Sequence, residues 1–408
     1  MTAAAAQKPL VIMKFGGTSV STEAARLAVV ARVSAERDAG SQPVVVVSAM
    51  GRLGDPYATD TLLSLLGSAR PDAHSLDLLM SAGEVISAVV VAAELCAHGI
   101  DARALTGADA GIVTNTTCGN ATIRCIDTAA IKAVLAKGAV AVVAGFQGVD
   151  GDGTLHTLGR GGSDTTACAL GVALAADRVD IYTDVDGVFT ADPRIIAEAK
   201  LLTRITANEL FQMAKHGSKV VHAPAAELAL QSGVRMQVRN TFSDLMGTEV
   251  VSLDSFRPDS VATAVTTAAD IARLRVRLPY VKDDPTAHMA AQTKVYQLMA
   301  DAALSLDMFT PMNDRLVFSV AASGAQRAAD ILKAEGFEVA VREGLGKVTL
   351  VGAGMHGVPG VMARVAQCLY GAHIDILQVA DSHATISLLV DGDDLVSAAQ
   401  ALHRAFGL

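Results

Sequence analysis

The chain lacks the sequence features that mark several common classes of protein. The pattern GxxxxGK(S/T) is absent from its 408 residues, which excludes a P-loop of the usual kind. Lysine and arginine number 33 against 42 aspartates and glutamates, and the net charge of -9 disfavours a nucleic-acid-binding face and a polybasic membrane anchor. We therefore expect a small-molecule substrate, with neither nucleic acid nor membrane as a partner.

Cysteine is scarce as well. The five cysteines form neither a CxxC pair nor an even disulfide framework, so we expect reduced thiols in a cytoplasmic protein and no zinc or other protein-bound metal. The N-terminal segment lacks the long apolar core of a signal peptide, and the apolar stretch Val85 to Ala97 is short and contains Glu94, so we expect no membrane span. With 51% hydrophobic and 18% charged residues, two or three domains can each bury a core.

The first part of the chain alternates wholly apolar runs with segments of helical periodicity. The run Val44 to Val47 has no polar face, as expected where helices cover both sides of a mainly parallel sheet. The pattern predicts a three-layer α/β domain over residues 1–247. Its predicted strands are Leu10 to Met13, Pro43 to Met50, Ala139 to Ala144 and Val179 to Thr183. Its predicted helices are Glu23 to Ala39, Leu76 to His98, Asp127 to Lys137, Asp164 to Ala175, Ala207 to Met213 and Pro224 to Ser232.

After about Gly247 the elements become shorter and follow the order strand, helix, strand, strand, helix, strand of a ferredoxin-like unit. One copy is predicted over residues 268–344. A second copy, over 345–408, lacks its last strand, and we expect the strand-like run 260–267 to complete it, so that the two modules are nested. The segment GAGMHG, residues 352–357, matches GxGxxG, but only about fifty residues follow it, too few for a dinucleotide fold. It is interpreted as a loop of the second module.

The run KFGGTS, Lys14 to Ser19, joins a strand to a helix-like segment. Paired glycines expose backbone N–H groups and Lys14 adds a cation, so this turn suits a polyanionic phosphate. Turns of this kind are also common without a ligand.

The run TLGRGGSDTTA, Thr157 to Ala167, is a glycine-rich turn that opens a helix. An arginine fork at Arg160 suits a carboxylate and Asp164 can pair with an ammonium, so the two could hold a zwitterionic amino acid. The alternative is a helix start capped by Ser163 or Asp164.

Three other segments carry candidate residues. YTDVDGV and ADPR follow a strand at its carboxyl end, where open α/β sheets bind ligands; there Thr183 and Asp184 could meet a nucleotide and Arg194 a phosphate. The alternative is a pair of ordinary turns. In SAGE, Glu84 is either a ligand contact or a first-turn acid stabilised by the helix dipole. In GSKVV, Lys219 is by default a surface lysine.

Taken in order along the chain, these segments resemble the aspartate kinase family of the amino-acid kinase superfamily. The matching segments are KFGGTSV, VSAMG, SAGE, TGADAG, GRGGSDTTA, YTDVDGV, ADPR and GSKVV. The match covers nearly the whole chain. The segments GRLGDPYATD, GAGMHGVPGV and ILQVADSHATIS look most like the diaminopimelate-sensitive class, aspartokinase I, and the two small modules resemble ACT regulatory domains.

The resemblance implies transfer of the γ-phosphoryl group of Mg-ATP to the side-chain carboxylate of L-aspartate, the first step towards lysine, diaminopimelate, threonine and methionine. The implied catalytic residues are Lys14, Arg160 and Asp164. The implied contacts of L-aspartate are Thr18, Ser48, Glu84, Arg160, Ser163 and Asp164. The implied contacts of ATP are Lys14, Gly16, Gly17, Ser19, Thr183, Asp184, Gly187, Arg194 and Lys219. Mg²⁺ would be bound through the phosphates, an amino-acid effector (diaminopimelate or lysine) at the ACT modules, and the assembly would be a homodimer.

Three positions depart from the family pattern. Asp109 in TGADAG replaces a residue that is often neutral, and Thr122 stands where a basic residue is common. The stretch Asp307 to Val317 is shorter than the effector loop of lysine- and threonine-sensitive relatives, which disfavours concerted inhibition by that pair. Two alternatives remain open: another amino-acid kinase, acting on glutamate or its acetylated form, and a ligand sensor with an inactive kinase domain.

Overall fold

The computed structural model describes residues 8–252, 261–279, 285–355 and 357–408. These residues form two compact units. The first unit comprises residues 8–188, Leu201–Lys215 and 219–252. The second takes Phe189–Lys200, His216–Ser218 and the described residues beyond 260. Two short segments of the predicted kinase domain are therefore grouped with the second unit.

The first unit is built from a chain of alternating strands and helices. Its described strands are β1 (Leu10–Phe15), β2 (Gln42–Val47), β3 (Ala102–Leu105), β4 (Ile112–Thr114), β5 (Ile123–Ile126), β6 (Val140–Ala144), β7 (Gln147–Val149), β8 (Leu155–Thr157), β9 (Arg178–Thr183), β10 (Arg204–Thr206), β11 (Met236–Asn240) and β12 (Thr248–Val251). Its described helices are α1 (Gly17–Val20), α2 (Glu23–Asp38), α3 (Thr59–Ser64), α4 (Ala73–Ala97), α5 (Ala129–Ala136), α6 (Gly162–Ala173), α7 (Ala207–Lys215) and α8 (Ala223–Ser232).

The larger sheet of this unit has the strand order β10-β12-β11-β9-β1-β2-β6-β3 among the described residues. Its pairings are parallel apart from that of β11 with β12, which confirms the predicted mainly parallel sheet. Alternate residues of a strand face opposite sides. Val11 and Met13 accordingly join a buried cluster with α2 and α4, whereas Ile12 lies near Gly171 of α6. Helices on both faces explain why β2 has a wholly apolar run.

Helix α4 begins earlier than predicted because the Asp72 carboxylate accepts a hydrogen bond from the N–H of Ser75 at 2.9 Å and caps the helix. By length and composition alone, α4 could cross a membrane. A core helix of a globular domain has the same composition. Ala88, Val91 and Leu95 are buried in the cluster beneath the larger sheet, and this packing accounts for the apolar character of the helix.

A smaller sheet of the first unit has the strand order β5-β4-β7-β8 among the described residues. Helix α4 packs against β8, and the turn after β8 leads directly into α6. This sheet therefore positions the glycine-rich turn that contains Arg160.

The second unit contains one antiparallel sheet within its described residues. Its strands are β13 (Ala264–Arg277), β14 (Asp307–Pro311), β15 (Arg315–Ala321), β16 (Val339–Val351), β17 (Gln378–Asp381) and β18 (Thr385–Asp391), in the order β14-β15-β13-β16-β18-β17. Its helices are α9 (Pro285–Asp301), α10 (Ala322–Ala334), α11 (Val361–Gly371) and α12 (Leu395–Phe406).

Two long strands run through the centre of this sheet. The first part of β13, Ala264 to Ala268, pairs with Lys347 to Val351, and its later part pairs with β15 and with the start of β16. One buried cluster packs α9 and α10 on one half of the sheet, and another packs α11 and α12 on the other half. Ser260 of the predicted run 260–267 and His356 of GAGMHG lie outside the described residues.

Candidate active site

The carboxyl ends of three neighbouring parallel strands bring the predicted segments together. In register, Phe15 of β1 lies opposite Val47 of β2 and Tyr182 of β9. The N–H of Gly16 donates to the carbonyl of Tyr182 at 3.2 Å, and the N–H of Ser48 donates to the carbonyl of Phe15 at 3.1 Å. The KFGGTS turn, Ser48 and the Thr183–Asp184 pair therefore lie along one edge of the larger sheet, the edge at which open α/β sheets bind ligands.

Gly17 is required by the close packing of two turns. A Cβ atom at this position would lie 2.7 Å from the carbonyl oxygens of both Ala49 and Gly51. The N–H of Gly51 also donates to the carbonyl of Gly17 at 2.9 Å, which ties the turn after β2 to the turn after β1. The strand predicted over Pro43 to Met50 is thus shorter than expected, because its last three residues form this turn.

Lys14 and Asp164 form an ion pair at this edge of the sheet, in the region beside Gly17, Ser48 and Glu84 that is here called the cleft. The Lys14 Nζ atom lies 2.6 Å from Asp164 Oδ1, and the two side chains are only 12% and 10% exposed. The other oxygen, Oδ2, accepts a hydrogen bond from the backbone N–H of His222 at 3.3 Å. Because the pair is shielded from solvent, its attraction is stronger than that of a surface pair. The structure therefore brings together the lysine of the first predicted segment and the aspartate of the second.

Helix α6 begins without the side-chain cap considered from the sequence. Its N-cap residue is Gly161, at a left-handed φ of 70°, and Ser163 and Asp164 lie inside the first turn. The capping interpretation is therefore wrong, because a left-handed start suits glycine and leaves both side chains for other contacts. A Cβ atom on Gly145, after β6, would lie 2.8 Å from Ser163 Cβ, so the start of α6 packs directly against the sheet edge.

Glu84 is the most perturbed acid of the cleft. Its Oε1 accepts a hydrogen bond from the N–H of Ala49 at 3.0 Å, whereas Oε2 is buried with no hydrogen-bond partner among the described residues. Burial raises the pKa of Glu84 to about 8, against the lowering effects of the Ala49 N–H and of the Lys14 ammonium. The first-turn interpretation of Glu84 is wrong, because α4 starts at Ala73 and Glu84 lies about three turns further on.

His222 is a cleft residue that sequence reasoning missed. Its ring packs against Gly161, where a Cβ atom would come within 2.0 Å of the ring carbon Cγ. Its Nδ1 atom is buried without a hydrogen-bond partner in the described chain, and burial lowers the pKa of the imidazole although Asp164 acts to raise it. His222 directly follows the segment GSKVV, so its position next to a predicted site segment could have drawn attention to it. Its contact with Asp164 cannot be predicted from the sequence spacing.

The other predicted residues occupy varied environments. Arg160 and Lys219 are exposed, and Thr18 and Ser48 are half-buried. Ser19 is fully buried, and its hydroxyl lies 2.7 Å from that of Thr241. The packing gives Ser19 a structural contact whether or not it meets a nucleotide.

At the end of β9, Thr183 donates to the Asp184 carboxylate at 3.3 Å, and Asp184 pairs with Arg52 at 2.6 Å. Gly187 has a φ of 146° and lies where a Cβ atom would come within 2.6 Å of the Thr248 hydroxyl, so its backbone conformation and its neighbours both favour a glycine without any ligand. Arg194 belongs to the second unit and pairs with Asp192 at 2.6 Å.

The two departures in this unit have local structural contacts. The Asp109 carboxylate accepts hydrogen bonds from the N–H and the hydroxyl of Thr106, and these bonds lower the pKa of Asp109. The N–H of Thr122 donates to the side-chain oxygen of Asn115 at 2.9 Å. Asp109 therefore closes the turn at the end of β3.

The chain is similar to known proteins over nearly its whole length. Residues 9–240 match the amino acid kinase family, and residues 340–404 match the ACT domain. Aspartokinase 1 of Bacillus subtilis (strain 168) is 41% identical over 406 residues, covering 98% of this chain and 99% of the relative. The crystal structure of E. coli aspartokinase III in complex with aspartate and ADP (R-state) superposes with a TM-score of 0.79 at 24% identity, covering 98% of this chain and 100% of that chain. Its complex with lysine and aspartate (T-state) gives a TM-score of 0.73 at 25% identity, covering 97% and 99%.

The chain belongs to the amino acid kinase family, whose match extends over more than half of its length. An ACT domain follows the kinase domain, as predicted. Within the family, the full-length similarity places the chain among the aspartokinases, which are ATP-dependent kinases. The family, the fold class and the enzyme class predicted from the motifs are therefore confirmed.

Proposed function

We propose that this enzyme transfers the γ-phosphoryl group of ATP to the side-chain carboxylate of L-aspartate, giving 4-phospho-L-aspartate. The observation that carries the proposal is the buried ion pair of Lys14 with Asp164 in a cleft that also contains the Glu84 carboxylate. A cation for phosphate thus lies beside two acids that suit an ammonium group. The 41% identity to an aspartokinase supports these substrates, and an aspartokinase of the same fold has been crystallised with aspartate and ADP.

The aspartate end of the cleft is assigned from the charges. Arg160 is exposed on the glycine-rich turn, where its fork can bind a carboxylate of the substrate. Asp164 and Glu84 can receive the ammonium group, and the buried Oε2 atom of Glu84, which has no hydrogen-bond partner among the described residues, supplies an acceptor. The hydroxyls of Thr18, Ser48 and Ser163 are the further proposed contacts. Together these groups complement a small dicarboxylic amino acid.

The nucleotide end is assigned to the turns after β1 and β9. Lys14 with the glycines Gly16 and Gly17 would hold the phosphates, and Ser19, Thr183, Asp184, Gly187, Arg194 and Lys219 are the further proposed contacts. Mg²⁺ would be carried by the phosphates. The exposed Asp184 carboxylate at the end of β9 fits such an ion, because Mg²⁺ is usually held by one or two carboxylates together with phosphate oxygens. When bound, Mg²⁺ neutralises charge on the transferred group.

The chemical step requires that the two substrates are aligned and that cationic groups stabilise the charge on the transferred phosphoryl group. A carboxylate nucleophile is already ionised at neutral pH and needs no general base. Lys14 can turn from Asp164 towards the phosphate and stabilise the charge that develops there, while Asp164 and Arg160 hold the acceptor in line. We assign Lys14, Arg160 and Asp164 as the catalytic residues on this basis.

Regulation and context complete the proposal. We infer modules over 268–344 and over 260–267 with 345–408, following a catalytic domain over 1–247; the pairing of Ala264–Ala268 with Lys347–Val351 supports the nesting. An amino acid such as diaminopimelate or lysine would bind the ACT modules as an effector. The enzyme would be a cytoplasmic homodimer that acts in the biosynthesis of lysine, diaminopimelate, threonine and methionine. Assays with diaminopimelate, lysine, threonine and methionine added singly identify the effector. We expect diaminopimelate to inhibit; inhibition by lysine alone would contradict this assignment.

Substrate trials test the activity. The full chain is incubated with Mg-ATP and hydroxylamine, which traps an acyl phosphate as a hydroxamate, and with aspartate, glutamate or N-acetylglutamate in parallel. We expect ADP and hydroxamate with aspartate and neither with the two glutamate compounds. Turnover of a glutamate compound would favour the other kinase, and no turnover with any of the three would favour an inactive sensor.

A further inference from the structure

A second cluster of polar side chains lies in the first unit and plays no part in the proposed reaction. It joins Asp77 of α4, Cys118 from the loop after β4 and His156 of β8. Asp77 is 0% and His156 3% exposed, and Cys118 is partly buried. One ligand atom from each residue lies within 4.8 Å of the other two.

The orientation of His156 is fixed from its far side. Its Nε2 lies 3.1 Å from Asp150 Oδ2, and because a carboxylate only accepts hydrogen bonds, this nitrogen carries the proton. In the neutral ring, the lone pair of Nδ1 then faces the centre of the cluster. A carboxylate behind an imidazole is the usual outer partner of a histidine that binds a metal.

Two further electron-pair donors face Nδ1 from other segments. Cys118 Sγ lies 3.6 Å from it and Asp77 Oδ2 lies 3.7 Å from it. Asp77 Oδ2 also accepts a hydrogen bond from the Gly119 N–H at 3.1 Å, and with a neutral ring its remaining lone pair would face that of Nδ1 with no hydrogen between them. A cation bound at the centre removes this repulsion.

The spacing suits a tetrahedral ion. Bonds of about 2.0–2.1 Å to nitrogen or oxygen and about 2.3 Å to sulfur place adjacent ligand atoms about 3.4–3.6 Å apart. The two separations from Nδ1, 3.6 Å and 3.7 Å, need only a small contraction, and the thiol sulfur lies within 4.8 Å of the Asp77 ligand oxygen. Asp77 is itself anchored, because its Oδ1 accepts hydrogen bonds from the Thr157 hydroxyl at 2.5 Å and from the Gly119 N–H at 2.9 Å.

We propose that Asp77, Cys118 and His156 form a binding site for Zn²⁺, with Asp150 holding His156 from behind. Thiolate and imidazole ligands favour zinc over Mg²⁺, which selects oxygen ligands, so this site is distinct from the nucleotide-bound ion. A water completes the four positions. The ion would link α4 to β8 and to the loop at Gly119. This link would stabilise the turn that contains Arg160. The cysteine spacing gave the opposite expectation, that no zinc site exists.

Cobalt spectroscopy on the full chain tests the site directly. Co²⁺ is titrated into reduced, nucleotide-free protein, and the thiolate-to-cobalt charge-transfer band is recorded. We expect a band that saturates at one equivalent, is displaced by Zn²⁺, is lost in Cys118→Ser and persists in the matched control Cys125→Ser, whose thiol is exposed on β5. Absence of the band, or its persistence in Cys118→Ser, would overturn the proposal.

Thermal unfolding gives a second, independent reading. At Zn²⁺ concentrations about a hundred times the dissociation constant, we expect the wild-type midpoint to rise by about 5–10 °C. Cys118→Ser and His156→Gln should keep their metal-free far-ultraviolet dichroism but show no such rise. An equal rise in both variants would show that zinc acts elsewhere and would refute the site.

Discussion

The raised pKa of Glu84 predicts a specific pH dependence of aspartate use. Burial raises the pKa of this carboxyl to about 8, so in the ligand-free enzyme most Glu84 is protonated at neutral pH. A protonated acid cannot form an ion pair with an ammonium group. If the substrate ammonium pairs with Glu84, binding requires the ionised form and its apparent affinity scales with the ionised fraction.

The magnitude follows from that pKa. With a pKa of about 8, the ionised fraction is about 1% at pH 6, about 9% at pH 7 and about 50% at pH 8. We therefore expect kcat/KM for aspartate to rise about 50-fold from pH 6 to pH 8 and to level off above pH 9. His222 does not share this trend, because burial lowers the pKa of its imidazole below the usual range.

The assay is ADP release at saturating Mg-ATP, with aspartate varied between pH 6 and pH 9. Glu84→Gln should lower kcat/KM and flatten its pH dependence. The matched control is Glu94→Gln on the same helix, at a half-buried acid near Arg26, and it should keep the wild-type slope. A wild-type change of less than about threefold, or an unchanged slope in Glu84→Gln, would refute the pairing of Glu84 with the ammonium group.

Three other predictions follow from the same cleft. Because the pKa of Glu84 is higher in the folded state than in the unfolded state, the free energy of unfolding falls as the pH rises towards 8. Between pH 6 and pH 8, the free energy of unfolding of the ligand-free enzyme, measured in urea, should fall by about 2 kcal/mol more than that of Glu84→Gln. Equal losses in the two proteins would contradict this. Gly17→Ala should reduce kcat/KM by about 10- to 100-fold because its Cβ overlaps two carbonyl oxygens, while the exposed Gly151→Ala, with open space around it, stays near wild type; equal rates in the two variants would count against the packing. Lys14→Ala should lower kcat by about 10²- to 10³-fold and raise KM for ATP far less; an equal loss in both would argue against a role in the transition state.

The placement of the KFGGTS turn at the end of a strand could be predicted from the sequence. Lys14 lies near the end of β1, whose apolar run is clear in the sequence, the glycines follow it directly, and parallel neighbours place their carboxyl ends at one edge. The short strands of the smaller sheet escaped prediction because three or four residues are too few to show a period. The environment of Glu84 could not be predicted either, because it depends on which residue of α4 lies beside Ala49.

The proposed Zn²⁺ site could not be predicted from the spacing of its residues in the sequence. Gly119 and Thr157 bind Asp77 from 42 and 80 positions away, and Cys118 reaches His156 across 38. No short motif links them. The packing of α4 against β8 and the Gly119–Asp77 hydrogen bond bring the three ligand atoms together, whereas in the sequence Cys118 has no CxxC partner.

The state of Glu84 also bears on selectivity. An ionised carboxylate buried without a partner is unfavourable, so the empty site favours the protonated form. A ligand with an ammonium group at the right place restores the charge, and the nearby Lys14 already acts in that direction. A ligand without that ammonium, such as a simple dicarboxylic acid, leaves Glu84 protonated and gains no ion pair. If Glu84 receives the substrate ammonium, discrimination would come from the burial that makes its ionised form unfavourable in the empty site, because only a ligand with that ammonium would convert the neutral acid into a paired charge.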